Sequence, residues 1–176
     1  MKTISDSDTK NLQIIRNSVR DFIKIASALD TDNLKVLDIA PQDHIGAKEF
    51  FKLSYLKTLD IDPSSNADYI ADLCKTNSSL IPDEHFDVII CTEVLEHTIN
   101  PFLAADEIHR ILKSGGKCFV TTPFNFRIHG PLPDCWRFTE YGLRCLFSKF
   151  TRIEINTIED ESRWLMPIHY QTKVTK

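Results

Sequence analysis

The chain has 176 residues, 42% of them hydrophobic and 26% charged, with a formal net charge of -4. That length gives one domain a full core and leaves too little for two, and the acidic balance argues against a protein that coats nucleic acid or an anionic membrane. No apolar run reaches the roughly 18 residues that a membrane span needs, and Met1 to Lys10 is polar, so a cytoplasmic protein without a membrane or nucleic-acid partner is expected.

Five cysteines, Cys74, Cys91, Cys118, Cys135 and Cys145, form no C-x-x-C pair and read as reduced core thiols. Between Asp8 and Leu29 the apolar residues Leu12, Ile15, Val19, Phe22, Ile23 and Ala26 recur at helical spacing and predict an amphipathic helix capping the edge of a sheet. The run Lys35 to Ala40 is a first strand, stopped by Pro41. A polar loop, Gln42-Asp43-His44, leads into a predicted short helix over Ile45 to Leu56, and Thr58 to Asp62 is a second strand.

Asp68 to Ala71 is a weaker third strand. The fourth, from Phe86, carries the consecutive apolar residues Val88, Ile89 and Ile90, as suits a central strand covered on both faces. It ends in a polar cluster of Thr92, Glu93, Glu96 and His97. Open parallel sheets bind ligands at that end of their strands, although Thr92 followed by glutamates also suits a plain helix start. Asn100-Pro101 begins a helix whose apolar positions stop at Ser114-Gly115-Gly116, where the glycine pair predicts a cap and turn. Lys117 to Thr122 is a fifth strand. The segment from Phe124 to Phe138 has many aromatic, proline and polar residues and no period. Thr139 to Phe147 then reads as a helix with Thr139 as N-cap, and Thr151 to Thr157 as a strand. A last strand falls within Leu165 to Val174, placed at an edge or bent because of Pro167.

Strands alternating with helices predict an α/β fold: a doubly wound, mainly parallel, three-layered sheet in a single domain. Within it the segments Val36-Leu37-Asp38-Ile39, Leu59-Asp60-Ile61-Asp62-Pro63, Ala71-Asp72-Leu73, Phe86-Asp87-Val88-Ile89, Glu93-Val94-Leu95-Glu96-His97 and Leu112-Lys113-Ser114-Gly115-Gly116 together resemble the class I S-adenosylmethionine-dependent methyltransferases, in order, over roughly residues 34 to 123. The resemblance implies S-adenosyl-L-methionine as cofactor and a Rossmann-like fold. It implies that Asp60 accepts from the ribose hydroxyls, with Asp62 in reserve, and that Asp72 and Leu73 meet the adenine. Asp38, Cys91 and Thr92 would lie toward the methionine end, and Ala40 and Gly46 would line the first loop.

That loop, Ala40-Pro41-Gln42-Asp43-His44-Ile45-Gly46-Ala47, departs from the glycine-rich turn usual in the family and keeps only Gly46. A dehydrogenase needs such glycines to seat a pyrophosphate at a helix N-terminus, whereas the methyl donor carries no phosphate. The function expected is methyl transfer to a small-molecule acceptor, a sugar or secondary-metabolite hydroxyl or amine. The alternative is a non-catalytic, methyltransferase-like binding or regulatory partner. His97, Glu93 and His129 are the candidates for acid–base work on the acceptor, and for His97 and His129 a purely structural role stands beside the catalytic one.

The stretch His129-Gly130-Pro131-Leu132-Pro133-Asp134-Cys135-Trp136-Arg137-Phe138-Thr139 resembles a signature of small bacterial methyltransferase-like proteins, some from surface-polysaccharide or secondary-metabolite pathways. Trp136 could stack on a ring and Arg137 pair with an acid or phosphate. Equally, Trp136 and Phe138 could close the core while Arg137 bonds to backbone carbonyls. No metal site is expected. No lid domain fits, so a large substrate would lie in an open cleft or be enclosed by a partner subunit, as in a homodimer.

Overall fold

A computed structural model describes residues 4–41 and 46–176. The polar loop Gln42-Asp43-His44 lies outside the described residues. Helix α1 spans Asp6–Ala26 and is followed by β1 (Lys35–Ile39), β2 (Tyr55–Asp60), β3 (Tyr69–Ile70) and β4 (Phe86–Thr92). The second half contains α2 (Pro101–Ile111), β5 (Leu112–Pro123), α3 (Glu140–Leu146), β6 (Arg152–Ile158) and β7 (His169–Thr175). The seven strands form one sheet in the order β3-β2-β1-β4-β5-β7-β6, with β1 to β5 parallel and β7 antiparallel to both its neighbours.

The alternation of side chains on β1 and β4 divides the core in two. Leu37, Ile39, Ile89 and Cys91 face α2 and α3, where Ala104, Ile108, Leu143 and Phe147 meet them. Val36, Val88 and Ile90 face the other way, onto Phe22, Ile23 and Ala26 of α1. Both faces are covered, which is why β4 needs an unbroken apolar run. The three-layer expectation holds.

Several local expectations are corrected. α1 lies across the face of the sheet, not on its edge: Phe22 packs edge-on against Phe119 of β5, and the buried Ser18 Oγ lies 2.8 Å from His169 Nδ1 of β7. Of the helix predicted over Ile45 to Leu56, only a 3-10 turn at Gly46–Glu49 forms among the described residues. The cause is Asp30, whose carboxylate accepts the backbone N–H groups of Lys52, Leu53 and Ser54 at 2.7, 3.0 and 3.0 Å. Those bonds replace the helical ones, and β2 therefore starts three residues earlier than expected.

The Gly115-Gly116 pair is not a helix cap. α2 ends at Ile111, and the glycines sit in an irregular opening of β5, where the register with β4 jumps between Phe86/Leu112 and Val88/Lys117. Gly115 has φ +78°, and a Cβ on Gly116 would meet the Lys113 carbonyl at 2.8 Å, so this bulge requires both. β7 is an interior strand, since Pro167 precedes its first residue and β6 takes the edge. Thr92 closes β4 and caps no helix, for the turn at Leu95–His97 has no side-chain cap. Cys91 and Cys118 are buried thiols, but Cys135 and Cys145 are exposed.

The α1 face is pinned by Gln171, whose Nε2 donates to both the carbonyl and the hydroxyl of Ser18 at 2.9 Å, while its Oε1 accepts from Asn156 at 2.9 Å. Gln171→Leu removes these bonds without changing the bulk of the side chain. It is expected to lower the unfolding free energy by about 1–3 kcal/mol, read from urea midpoints, and to speed amide exchange along α1.

Candidate active site at the carboxyl ends of the strands

At the end of β4 the chain turns sharply: Glu93 has φ +54°, and its N–H donates to the Thr121 carbonyl of β5. Its carboxylate Oε1 accepts from Thr121 Oγ1 at 2.8 Å and lies 2.7 Å from Nε2 of the fully buried His169. Glu93 is thus tied to the scaffold through one oxygen while lining a cavity of about 870 Å³. The same turn aims Val94 and His97 at that cavity and drops Glu96 into the protein, where it is fully buried.

On the opposite side the cavity is built from the ends of β1 and β2. Ala40 adopts φ +49° and donates its N–H to the Leu59 carbonyl at 2.7 Å, a left-handed conformation that brings backbone to the wall. Asp60 is buried at the end of β2. Its Oδ1 accepts the Asp62 N–H at 2.9 Å, and among the described residues no hydrogen bond reaches its Oδ2. Asp62 uses one oxygen on the Ser64 N–H and hydroxyl, both at 2.8 Å. Asp72 accepts from the Cys74 N–H at 2.9 Å and lies 3.4 Å from the Lys75 ammonium, next to the buried Leu73. Ala40, Asp60, Asp62, Asp72 and Leu73 line the cavity together with Glu93 and His97.

Asp38, Gly46, Cys91 and His129 do not line it. Asp38 is buried on β1 and accepts the Ala47 N–H at 2.7 Å. Gly46 has φ +57°, and a Cβ there would come within 2.4 Å of Asp38 Oδ2, so glycine at this position lets the Ala47 N–H reach the carboxylate. Cys91 is fully buried in the core, and burial pushes its thiol pKa well up. A thiol so placed is inert.

His129 belongs to the loop between β5 and α3. Asp134 accepts the His129 N–H at 2.9 Å and is gripped by Arg137 through two bonds of 2.5 and 2.7 Å. Burial works against ionisation of Asp134, yet the bonds from Arg137 and the His129 amide outweigh it and hold its carboxyl well below the usual range. Arg137 also donates to the Phe126 and Arg127 carbonyls, and Trp136 stacks on Phe138 while its indole N–H donates to the Thr98 carbonyl. Of the bracing reading of this signature, the buried Phe138 and the bonds of Arg137 to backbone carbonyls are present, whereas Trp136 is exposed and does not close the core. Burial lowers the His129 pKa and keeps the ring neutral, and burial followed by the charge of Glu93 raises that of Glu96. The residues missed as site components are Glu96, Asp134 and His169, while Arg137, read as a partner for an acid, pairs with Asp134. Glu96 stood in the polar cluster without a role, the Asp134/Arg137 spacing was legible as a pair, and nothing local marks His169.

Burial pushes the Asp38 pKa from 3.8 up to about 6. A carboxyl with its folded pKa above the unfolded one contributes stability that is complete below pH 3.8 and is lost as the pH rises through about 6. Asp38→Asn retains an acceptor for the Ala47 N–H. Relative to wild type it is expected to gain stability between about pH 4 and pH 8, on the order of 3 kcal/mol in full, with urea midpoints at both pH values as the measure.

Against known proteins, the family described as "Methyltransferase domain" matches residues 12–168, most of the chain. No curated protein sequence matches. Among solved structures, a chain from the Haloferax volcanii complex containing the Trm112 methyltransferase activator is 14% identical with a TM-score of 0.67, each chain covered over 99%. A SAM-dependent methyltransferase from Archaeoglobus fulgidus is 15% identical with a TM-score of 0.67, covering 93% of this chain and 94% of that one. Haemonchus contortus phosphoethanolamine N-methyltransferase 2, solved with S-adenosyl-L-methionine, is 14% identical with a TM-score of 0.67, and the match covers 91% of this chain and 52% of that one. With the strand order, the covered sheet and the acidic cavity at the strand ends, these findings place the chain in the methyltransferase-domain family, with the fold of the S-adenosylmethionine-dependent methyltransferases.

Proposed function

We propose that the protein transfers a methyl group from S-adenosylmethionine to a small-molecule acceptor bound between Glu93, His97 and the Pro131–Pro133 rim. The observation that carries this reading is the charge of the cavity: its described lining holds four carboxylates, Asp60, Asp62, Asp72 and Glu93, and no lysine or arginine. Such a wall accepts hydrogen bonds from hydroxyls and amines and favours a cationic ligand, while it repels the pyrophosphate of a dinucleotide. A nucleoside sulfonium fits that set of acceptors.

When bound, the cofactor supplies a methyl group already activated on sulfur, for in-line displacement. The protein's task is then alignment and exclusion of water. Asp60, with Oδ2 uncommitted, is the acceptor for the ribose hydroxyls, and Asp72 with Leu73 serves the adenine. Ala40 in its left-handed conformation gives the close backbone approach that glycines give elsewhere in the family. Beneath it, the buried carboxylate of Asp38 favours positive charge at that end of the cavity. On the acceptor side, His97 Nδ1 lies 2.9 Å from the Pro133 carbonyl, which orients the ring with Nε2 directed away from the loop backbone.

Calorimetry with S-adenosylmethionine and S-adenosylhomocysteine tests the assignment. Saturable binding is expected, and Asp60→Ala should weaken it by about 1.5–3 kcal/mol, roughly 10–100-fold, through loss of a charge-assisted pair. A folded sample that takes up neither ligand at near-millimolar concentration would leave the protein as a non-catalytic, methyltransferase-like binding partner.

A further inference from the structure

Three side chains meet beside the acceptor end of the cavity in an arrangement that methyl-donor binding leaves unexplained. Glu96 is fully buried, and neither carboxylate oxygen receives a hydrogen bond from any described residue. His97 Nε2 and His129 Nε2 each lie 3.8 Å from Glu96 Oε1, and one ligating atom from each of the three residues falls within 4.8 Å of the others.

The far nitrogen of each ring decides what the near one can do. His97 Nδ1 lies 2.9 Å from the Pro133 carbonyl oxygen, which has no proton to offer. In the neutral ring the hydrogen therefore sits on Nδ1, and Nε2 carries the lone pair. His129 Nδ1 lies 3.0 Å from Asp134 Oδ2. That approach is too bent for a formed hydrogen bond, yet the ionised carboxylate, fixed by Arg137, favours the ring proton on the same side and leaves the His129 Nε2 lone pair turned to Glu96. With Glu96 ionised, three acceptor atoms thus face one another in a place nearly closed to water, and at 3.8 Å a proton on Glu96 would bridge to neither ring. The ionised set repels unless a cation lies between its members, and a buried carboxylate without a partner is costly.

We propose that Glu96, His97 and His129 bind a first-row divalent transition cation. Two neutral imidazoles and one carboxylate with open positions suit zinc, iron(II), cobalt(II) or nickel(II), whereas magnesium and calcium call for oxygen ligands throughout. Bonds of about 2.0–2.1 Å in a tetrahedral site put ligand atoms about 3.3 Å apart, so the two 3.8 Å separations from Glu96 have to close by about 0.5 Å and that between the rings, within 4.8 Å, by up to about 1.5 Å. The outer partners that such a site needs are present: the Pro133 carbonyl on one ring, Asp134 on the other, and Arg137 behind Asp134. The site opens on the histidine side, where the two side chains are 15% and 19% exposed and His97 lines the cavity. An acceptor oxygen entering there would reach the open position. That role in turnover rests on the methyl-transfer reading above, and metal binding itself does not. Glu93 lies outside this group of three, its Oε1 held by His169 and Thr121.

The test uses the full chain without a tag, stripped with a chelator and returned to chelator-free buffer, then titrated with ZnCl2 by calorimetry and with CoCl2 by visible absorption. One equivalent bound at micromolar or lower Kd, with cobalt d–d bands, is expected. Glu96→Gln and His129→Ala, each shown to be folded by urea titration, should lose at least tenfold in affinity and alter the cobalt spectrum. Asp134→Asn, a positioning residue, should weaken binding about 10–100-fold. Cys135→Ser/Cys145→Ser should bind as wild type does, excluding the exposed thiols. Absence of uptake by the wild-type chain, or undiminished uptake by Glu96→Gln/His129→Ala, would overturn the site. S-adenosylmethionine calorimetry on the same stripped samples keeps the two readings separate, since either ligand can bind where the other fails.

Discussion

The contact between Glu93 and His169 holds the functional end of the molecule in place. It joins the end of β4 to the start of β7, and through Thr121 and Ser18 the same pair reaches β5 and α1. Two strands thus meet directly on one carboxylate oxygen and α1 joins through His169, and the left-handed turn at Glu93 persists because those bonds over-determine it. Buried and satisfied networks of this kind specify one arrangement, where an apolar contact would tolerate several. The turn in turn sends Glu96 inward and His97 outward, so the two faces of the acceptor side follow from a single bend.

The loop from Phe124 to Phe138 is ordered by charge more than by apolar burial. Asp134 gathers His129 and Arg137, Arg137 gathers two backbone carbonyls, and the Glu96 carbonyl accepts the N–H groups of Cys135 and Trp136 at 2.7 and 3.1 Å. Glu96 is thus engaged through its backbone by one end of the loop, while His129 from the other end comes to lie beside its side chain. A segment this long without secondary structure holds its shape here through these few charge-assisted and backbone bonds.

Much of the fold was legible in the sequence because its signals are local. The unbroken Val88-Ile89-Ile90 run reports burial on both faces, Asn100-Pro101 reports a helix start, and Thr139 does cap α3, accepting the Gly142 N–H at 3.1 Å. The misplacements have long-range causes. Asp30 overrides the helical pattern after residue 49 from more than twenty positions away, and the interior position of β7 depends on pairing that Pro167 does not reveal. Within the site, the carboxylates at the ends of β2 and β3 could be placed from strand ends alone. The convergence of Glu96, His97 and His129, and the tie to His169, could not, since each joins segments about 30 to 80 residues apart only after folding.

The anchor at Asp30 has one more consequence. By seizing three successive amides just ahead of Tyr55, it decides which residue opens β2, and side chains alternate from there along a strand of six residues to Asp60. Were the anchor to slip by one position, Asp60 would swing to the opposite face of the sheet and the cavity would lose that carboxylate. The address of a binding group is therefore written about 16 Å away, at the close of the first helix, by an aspartate that touches no ligand.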